Sequence, residues 1–345
     1  MRAIGYQHPG PISAAASLCD IELPRPTASG HDLLVRVRAV SVNPVDVKIR
    51  ASASPEAGGW KVLGWDAAGT VIEAGLQTMR FKTGDEVYYA GAIGRSGTNA
   101  EYHLVDERIV GRKPASLDFA EAAALPLTAI TAWETLFDRL EVRRPVPGGA
   151  PVLLVIGGAG GVGSIAIQLA RVLTGLTVVA TASRPETIRW ACGLGANHVI
   201  NHREKLAPQI AELGLGAPSF VFSTTNTGEH VADIASLIAP QGRFALIDDP
   251  GSLDIVPFKR KSVSIHWELM FTRSIYDTPD LEQQGSLLHE VARLVDQGRL
   301  RTTLYQQSGT QHLGTINAAN LKRAHELLES GRSIGKIVLA GFELG

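Results

Sequence analysis

Cysteine is almost absent from this chain: two in 345 residues, Cys19 and Cys192, far apart in sequence. Neither a disulfide framework nor a thiolate zinc cage can be assembled from such a pair, so a reducing cytoplasm suits the chain. Long apolar runs are missing too. No stretch of eighteen apolar residues occurs, and the first nine residues, Met1 to Pro9, lack the apolar core of a signal peptide. An excess of one charge is also missing. The 33 Lys and Arg against 34 Asp and Glu leave a formal charge of −1 with no block of like sign. Electrostatics therefore offers no reason to expect a nucleic-acid or membrane partner. No repeat or low-complexity segment interrupts the chain. What is left is the composition of an ordinary soluble, cytoplasmic protein, long enough for two domains with sizeable cores.

The most informative stretch is 151–171. Pro151-Val-Leu-Leu-Val-Ile156 is an apolar run, Gly157-Gly158-Ala159-Gly160-Gly161-Val162-Gly163 follows at once, and Ser164-Ile-Ala-Ile-Gln-Leu-Ala-Arg171 is helical in pattern. A strand buried in a parallel sheet is apolar on both faces, and a backbone approaching a pyrophosphate carries no side chain at the contact points. Gly158, Gly160 and Gly163 have that spacing, and the helix start after them presents amides and the positive end of its dipole. Glycines cluster in any tight turn, but a strand before and a helix after are the context a dinucleotide loop requires.

From Met1 to about Ala115 the apolar runs are short and punctuated by Gly and Pro, as in 33–40, 69–74 and 84–89. They predict an antiparallel, barrel-like β domain, with 51–60 as a loop near the site. Asp118 and Glu121 form a capping box that starts a helix ending before Pro126, and Thr128–Leu140 is a second helix. After the Pro/Gly connector 143–149, strands are expected at 152–156, 177–182, 198–200, 219–222, 243–247 and 263–266. Helices between most of them predict a doubly wound parallel sheet, an α/β Rossmann fold. Helical faces marked by Leu287, Val291, Leu294 and Val295 and by Leu321, Ala324, Leu327 and Leu328 precede a last strand at 336–340, expected to rejoin the first domain.

An NAD-preferring fold ends its second strand with an acid that binds the ribose hydroxyl. Here Ala182-Ser183-Arg184 stands instead. Ser183 can donate to a 2′-phosphate and Arg184 can add a planar cation, so NADPH is the expected cofactor.

Several strings taken together resemble the medium-chain dehydrogenase/reductase superfamily, and within it the zinc-free quinone oxidoreductases. They are Ser41-Val-Asn43-Pro-Val-Asp46-Val-Lys48-Ile-Arg50, Gly64-Trp65-Asp66-Ala-Ala-Gly69, Leu127-Thr-Ala-Ile-Thr131-Ala-Trp133, the glycine loop, and Gly335-Lys336-Ile-Val338. The resemblance implies a GroES-like, β-rich catalytic domain made of 1–127 and 276–345, a Rossmann domain of 128–275, a cleft between them, and a homodimer. It places Asn43 and Thr131 near the nicotinamide, and Gly158, Gly160, Gly161, Val162 and Gly163 at the phosphates. Ser183, Arg184 and His202 fall around the adenosine phosphate, and Thr224, Asn226 and Ile247 after later strands. Phe271 and Lys336 are further cofactor-binding carry-overs.

The zinc alcohol dehydrogenases of that superfamily bind metal through Cys and His, but here Asn43 stands in the first ligand region and Trp65-Asp66 replaces a His-Glu pair. No metal site is expected, and His198 with His202 flanks a strand end rather than a ligand face. Without a Lewis acid, alcohol oxidation is hard, whereas hydride addition to a quinone needs only hydrogen bonds for the developing charge. The expected activity is NADPH-dependent reduction of a small-molecule acceptor of quinone type. Reduction of activated alkenes such as 2-alkenals and enones, a non-catalytic NADPH-binding regulatory protein, and a zinc-dependent alcohol dehydrogenase are the alternatives. For the proton, Asp46 and Lys48 beside Asn43 are the candidates. The competing reading is a structural Asp46–Arg50 ion pair.

Overall fold

Two units make up the chain, Met1–Ile130 with Phe271–Gly345, and Thr131–Met270. The structure, a computed structural model, describes residues 1–305 and 312–342.

The first unit holds β1 (Arg2–Tyr6), β2 (Cys19–Glu22), β3 (Asp32–Val42), β4 (Lys61–Val62), β5 (Asp66–Ala74), β6 (Glu86–Ala90), β7 (Tyr102–Asp106) and β8 (Val110–Arg112). The second contributes β9 (Ala150–Ile156), β10 (Thr177–Thr181), β11 (His198–Ile200), β12 (Pro218–Ser223), β13 (Arg243–Leu246) and β14 (Ser264–Trp267). The chain then returns to the first unit and closes with β15 (Ile337–Ala340).

Antiparallel pairing organises the first unit. One sheet runs β15-β3-β5-β6-β8, with β7 also on β3, and a small sheet runs β2-β1-β4. The long strand β3 carries the alternation that one wet face requires, with Val35 and Val37 buried and Arg36 and Arg38 exposed. Ile337 to Ala340 lie opposite Val42 to Ala39, so the end of the chain completes the sheet its beginning started. This pairing brings the residue before β15 to the end of β3.

All six strands of the second unit are parallel, in the order β11-β10-β9-β12-β13-β14. Counted within the unit this is 3-2-1-4-5-6, the Rossmann order, with the reversal beside the first strand. Val152, Leu154, Val179, Val221, Phe244 and Leu246 form part of its buried core. Each fully buried side chain of this kind contributes roughly 1.5–3 kcal/mol.

The segment joining the units departs from expectation. Its helix begins at Pro126, not Thr128, because a proline at the first helical position gives up no hydrogen bond. After Trp133 the coil widens into a π-helix, Glu134–Arg139, in which the Leu140 amide reaches back to the Thr135 carbonyl. The Thr135 hydroxyl donates to the Thr131 carbonyl at 2.7 Å and competes for it, a local side-chain bond that favours such a bulge.

Candidate functional site

In a parallel sheet the carboxyl ends of all strands lie on one edge, and most of the expected cofactor residues follow those ends directly. Gly158, Gly160, Gly161, Val162 and Gly163 follow β9, Ser183 and Arg184 follow β10, His202 follows β11, Thr224 and Asn226 follow β12, and Ile247 follows β13. Thr131 also belongs to this unit and is buried. Asn43, Phe271 and Lys336 belong to the first.

The glycines of the loop have different reasons to be glycine. A Cβ on Gly163 would stand 2.3 Å from the Gly157 carbonyl oxygen, and one on Gly158 2.7 Å from the Ala180 Cβ, so the protein's own packing excludes side chains there. A Cβ on Gly160 would meet nothing closer than 3.5 Å, and its φ of −73° is open to any residue. Internal packing therefore does not demand glycine at 160, which is the position where a Rossmann loop lets a pyrophosphate approach. Gly160 caps the helix Gly161–Leu173 with no side-chain acceptor, which leaves first-turn amides for an anion. A dinucleotide fits this donor set.

At the end of β10, Ser183 and Arg184 are half-buried and no acid occupies the ribose position. The Arg184 guanidinium lies 3.2 Å from Glu186. Burial lowers the pKa of His202, and the nearby His230, Arg203 and Arg184 lower it further.

The first unit holds a closed polar network. Asp66, at the start of β5 and fully buried, accepts at Oδ1 from the Leu127 amide (2.7 Å). It thereby caps the helix Pro126–Trp133. Its Oδ2 accepts from Asn43 Nδ2 (2.8 Å) and Lys336 Nζ (3.0 Å). Lys336 also donates to the Val42 carbonyl (3.1 Å) and to Asn43 Oδ1. The Asn43 amide in turn donates to Asp46 Oδ2 at 2.8 Å, tying the start of the helix Pro44–Ser52.

Asp46 is 1% exposed. Burial raises its pKa to about 7, against the opposing pull of the Asn43 and Gly64 amides and the Lys336 cation. In the unfolded chain a carboxyl titrates near 4. Below that pH both states are protonated and the neutral carboxyl's contribution is complete. It is lost as pH rises through about 7, on the order of 4 kcal/mol in all. Asp46→Asn is accordingly expected to gain stability relative to wild type between pH 5 and 8, as thermal melts across that range would show. A constant difference would place the titration elsewhere.

An Asp46–Arg50 ion pair is not formed. Arg50, also buried, donates to the Gly10 carbonyl (2.6 Å), His325 Nδ1 (3.3 Å) and Glu329. A spacing of four residues on one helix would allow that pair, but Asp46 is turned back to the Asn43 backbone amide, and the helix Ala318–Glu329 supplies Arg50 with Glu329 instead. Lys48 lies on the exposed face of the same helix. Of the two residues expected to carry the proton, Asp46 is buried against Asn43 and Lys48 is exposed. In the sequence Asp66 stands out only as a departure from a metal pattern, and its partnership with Lys336 spans 270 positions that no local periodicity connects.

A Rossmann unit with an open glycine position, carried in one chain with a β-rich unit that buries an acid–amide–ammonium network, is the two-domain architecture of a dehydrogenase or reductase. Residues 29–115 match the alcohol dehydrogenase GroES-like domain, and residues 161–283 the family described as zinc-binding dehydrogenase. A zinc-type alcohol dehydrogenase-like protein of Staphylococcus aureus is 39% identical over 98% of this chain and 99% of its own. A Rhizobium etli crystal structure, described as a candidate zinc-dependent alcohol dehydrogenase, is 64% identical with a TM-score of 0.97, covering 100% of this chain and 99% of that one. The quinone oxidoreductase of Coxiella burnetii is 27% identical with a TM-score of 0.78 over 99% of each chain. The chain belongs to the medium-chain dehydrogenase/reductase superfamily and is an oxidoreductase.

Zinc figures in several of those descriptions, but the residues here do not fit the ion. Asn43 has both ends of its amide engaged, the Trp65 indole offers no lone pair, and an ammonium already lies against Asp66. Among the described residues no three His, Cys, Asp or Glu side chains converge.

Proposed function

We propose that this protein is a zinc-free, NADPH-dependent reductase of quinone-type acceptors. The observation that carries the reading is the Lys336–Asp66–Asn43 network, which fills with the chain's own cation the region where a metal would be needed for alcohol chemistry. When bound, the cofactor supplies a hydride, that is, two electrons with one proton; reduction of a quinone to its hydroquinone also consumes a proton. Asn43 and Asp46 are the residues assigned to orient and hold that proton, and the exposed Lys48 is assigned to its exchange with water. Ser183 and Arg184, with His202, are assigned to the 2′-phosphate.

Steady-state oxidation of NADPH and NADH against a panel of quinones, 2-alkenals and enones tests the reading. NADPH is expected to be preferred with quinones, and Arg184→Ala to narrow the preference over NADH by about tenfold, the worth of one charge-assisted pair. Turnover of enones alone would move the assignment to alkene reduction. NADPH binding without turnover of any acceptor would point to a regulatory protein.

We further propose a homodimer in the cytoplasm. The edge strand β14 and its surroundings leave Trp267 55% and Leu269 51% exposed, a strand edge unpaired among the described residues with an apolar rim, and both cysteines are free thiols. Sedimentation equilibrium is expected to give twice the chain mass, and a monomer with Trp267→Lys.

A further inference from the structure

Lys336 is 4% exposed, and its ammonium, one residue before β15, meets three acceptors: the Val42 carbonyl, Asn43 Oδ1 and Asp66 Oδ2. An ammonium has three protons, so all are spent inside the first unit and none is left for a phosphate or a substrate oxygen. The amide of Asn43 meets this cation at its oxygen and the Asp66 carboxylate at its nitrogen. Turning that amide over would set NH2 against an ammonium and a carbonyl oxygen against a carboxylate, and both contacts would be repulsive. A charged pair on either side thus selects one of two otherwise equivalent orientations.

We propose that Lys336 is the positioning residue of the active site: backed by Asp66, it locks the Asn43 amide in one orientation and so holds the helix start from which Asp46 presents its carboxyl. The inference rests on the reading that Asn43 and Asp46 serve the reduction. Asn43 is then gripped from three directions, by Asp46 at its backbone amide, by Asp66 from β5 and by Lys336 from the approach to β15. The groups facing Asp46 are the Asn43 and Gly64 amides, the Lys336 cation and the Asp66 anion. Arg50, on Asp46's own helix, is turned to Glu329. Removing the Lys336 cation therefore weakens the charged form of Asp46 as well as freeing the amide.

Lys336→Met and the double variant Lys336→Met/Asp66→Asn test this in the full chain. The double variant removes both charges together and keeps the fold available, since a buried ion pair can be exchanged for neutral groups of similar volume. With NADPH and a quinone, kcat is expected to fall about 10- to 100-fold in both variants, the cost of a misplaced catalytic group, while KM for NADPH stays within about twofold. By NMR without substrate, the Asp46 carboxyl in Lys336→Met titrates at higher pH than in wild type, and the Asn43 side-chain amide loses its protection from exchange. A large rise in KM for NADPH with kcat preserved would show that Lys336 meets the cofactor and overturn the proposal. So would unaltered Asn43 and Asp46 signals in Lys336→Met. If wild type reduces no acceptor, the functional reading fails by itself, and the NMR measurements still decide the positioning.

Discussion

Asp66→Ala is expected to destabilise the first unit by about 3–5 kcal/mol, the usual consequence of removing one member of a buried ion pair. The size follows from what the carboxylate touches. Three donors converge on it: the Leu127 amide, the Asn43 side chain and the Lys336 ammonium. Alanine would leave the ammonium in the interior with only two neutral oxygens, and would uncap the helix Pro126–Trp133 at the same time. Urea unfolding near pH 7 measures the loss. Asp66→Asn, which keeps the shape and one acceptor, is expected to lose less, and equal losses would show that the charge of Asp66 is irrelevant.

Gly160→Val and Gly163→Val are expected to fail in different ways. In Gly163→Val the new Cβ falls 2.3 Å from the Gly157 carbonyl oxygen, a backbone atom that cannot swing aside. Overpacking of this kind costs about 1–3 kcal/mol, so the melting temperature falls and cofactor binding falls with it. In Gly160→Val the nearest protein atom stands at 3.5 Å, so the fold is expected to persist. The side chain would instead stand where the pyrophosphate approaches, and NADPH affinity is expected to drop about 100-fold, equivalent to about 2.7 kcal/mol. Fluorescence titration with NADPH beside thermal melts separates the two. Wild-type affinity in Gly160→Val would move the cofactor away from this loop.

The second unit was largely legible in the sequence. Each of its six strands lies within a residue or two of its expected span, because a buried parallel strand is a short apolar run and the turns between them are marked by Gly and Pro. The chain's return to the first sheet through β15 was legible as well, since the last strand lies beyond a complete Rossmann set. The π-helix was not, because it depends on a threonine hydroxyl competing for a carbonyl, which leaves no periodic trace.

The same division runs through the site. The amino-acid sequence by itself determined the glycine loop between β9 and its helix, the absence of an acid after β10 and the scarcity of cysteine, all properties of neighbouring residues or of composition. The tertiary structure alone decided that Arg50 goes to Glu329 and not to Asp46, that Lys48 faces solvent, and that Lys336 joins Asn43 and Asp66. Those partners are set by which helices and strands lie side by side. A buried charge takes whichever countercharge the sheet brings within reach, because leaving it unpaired costs several kcal/mol, and sequence distance has no part in that choice.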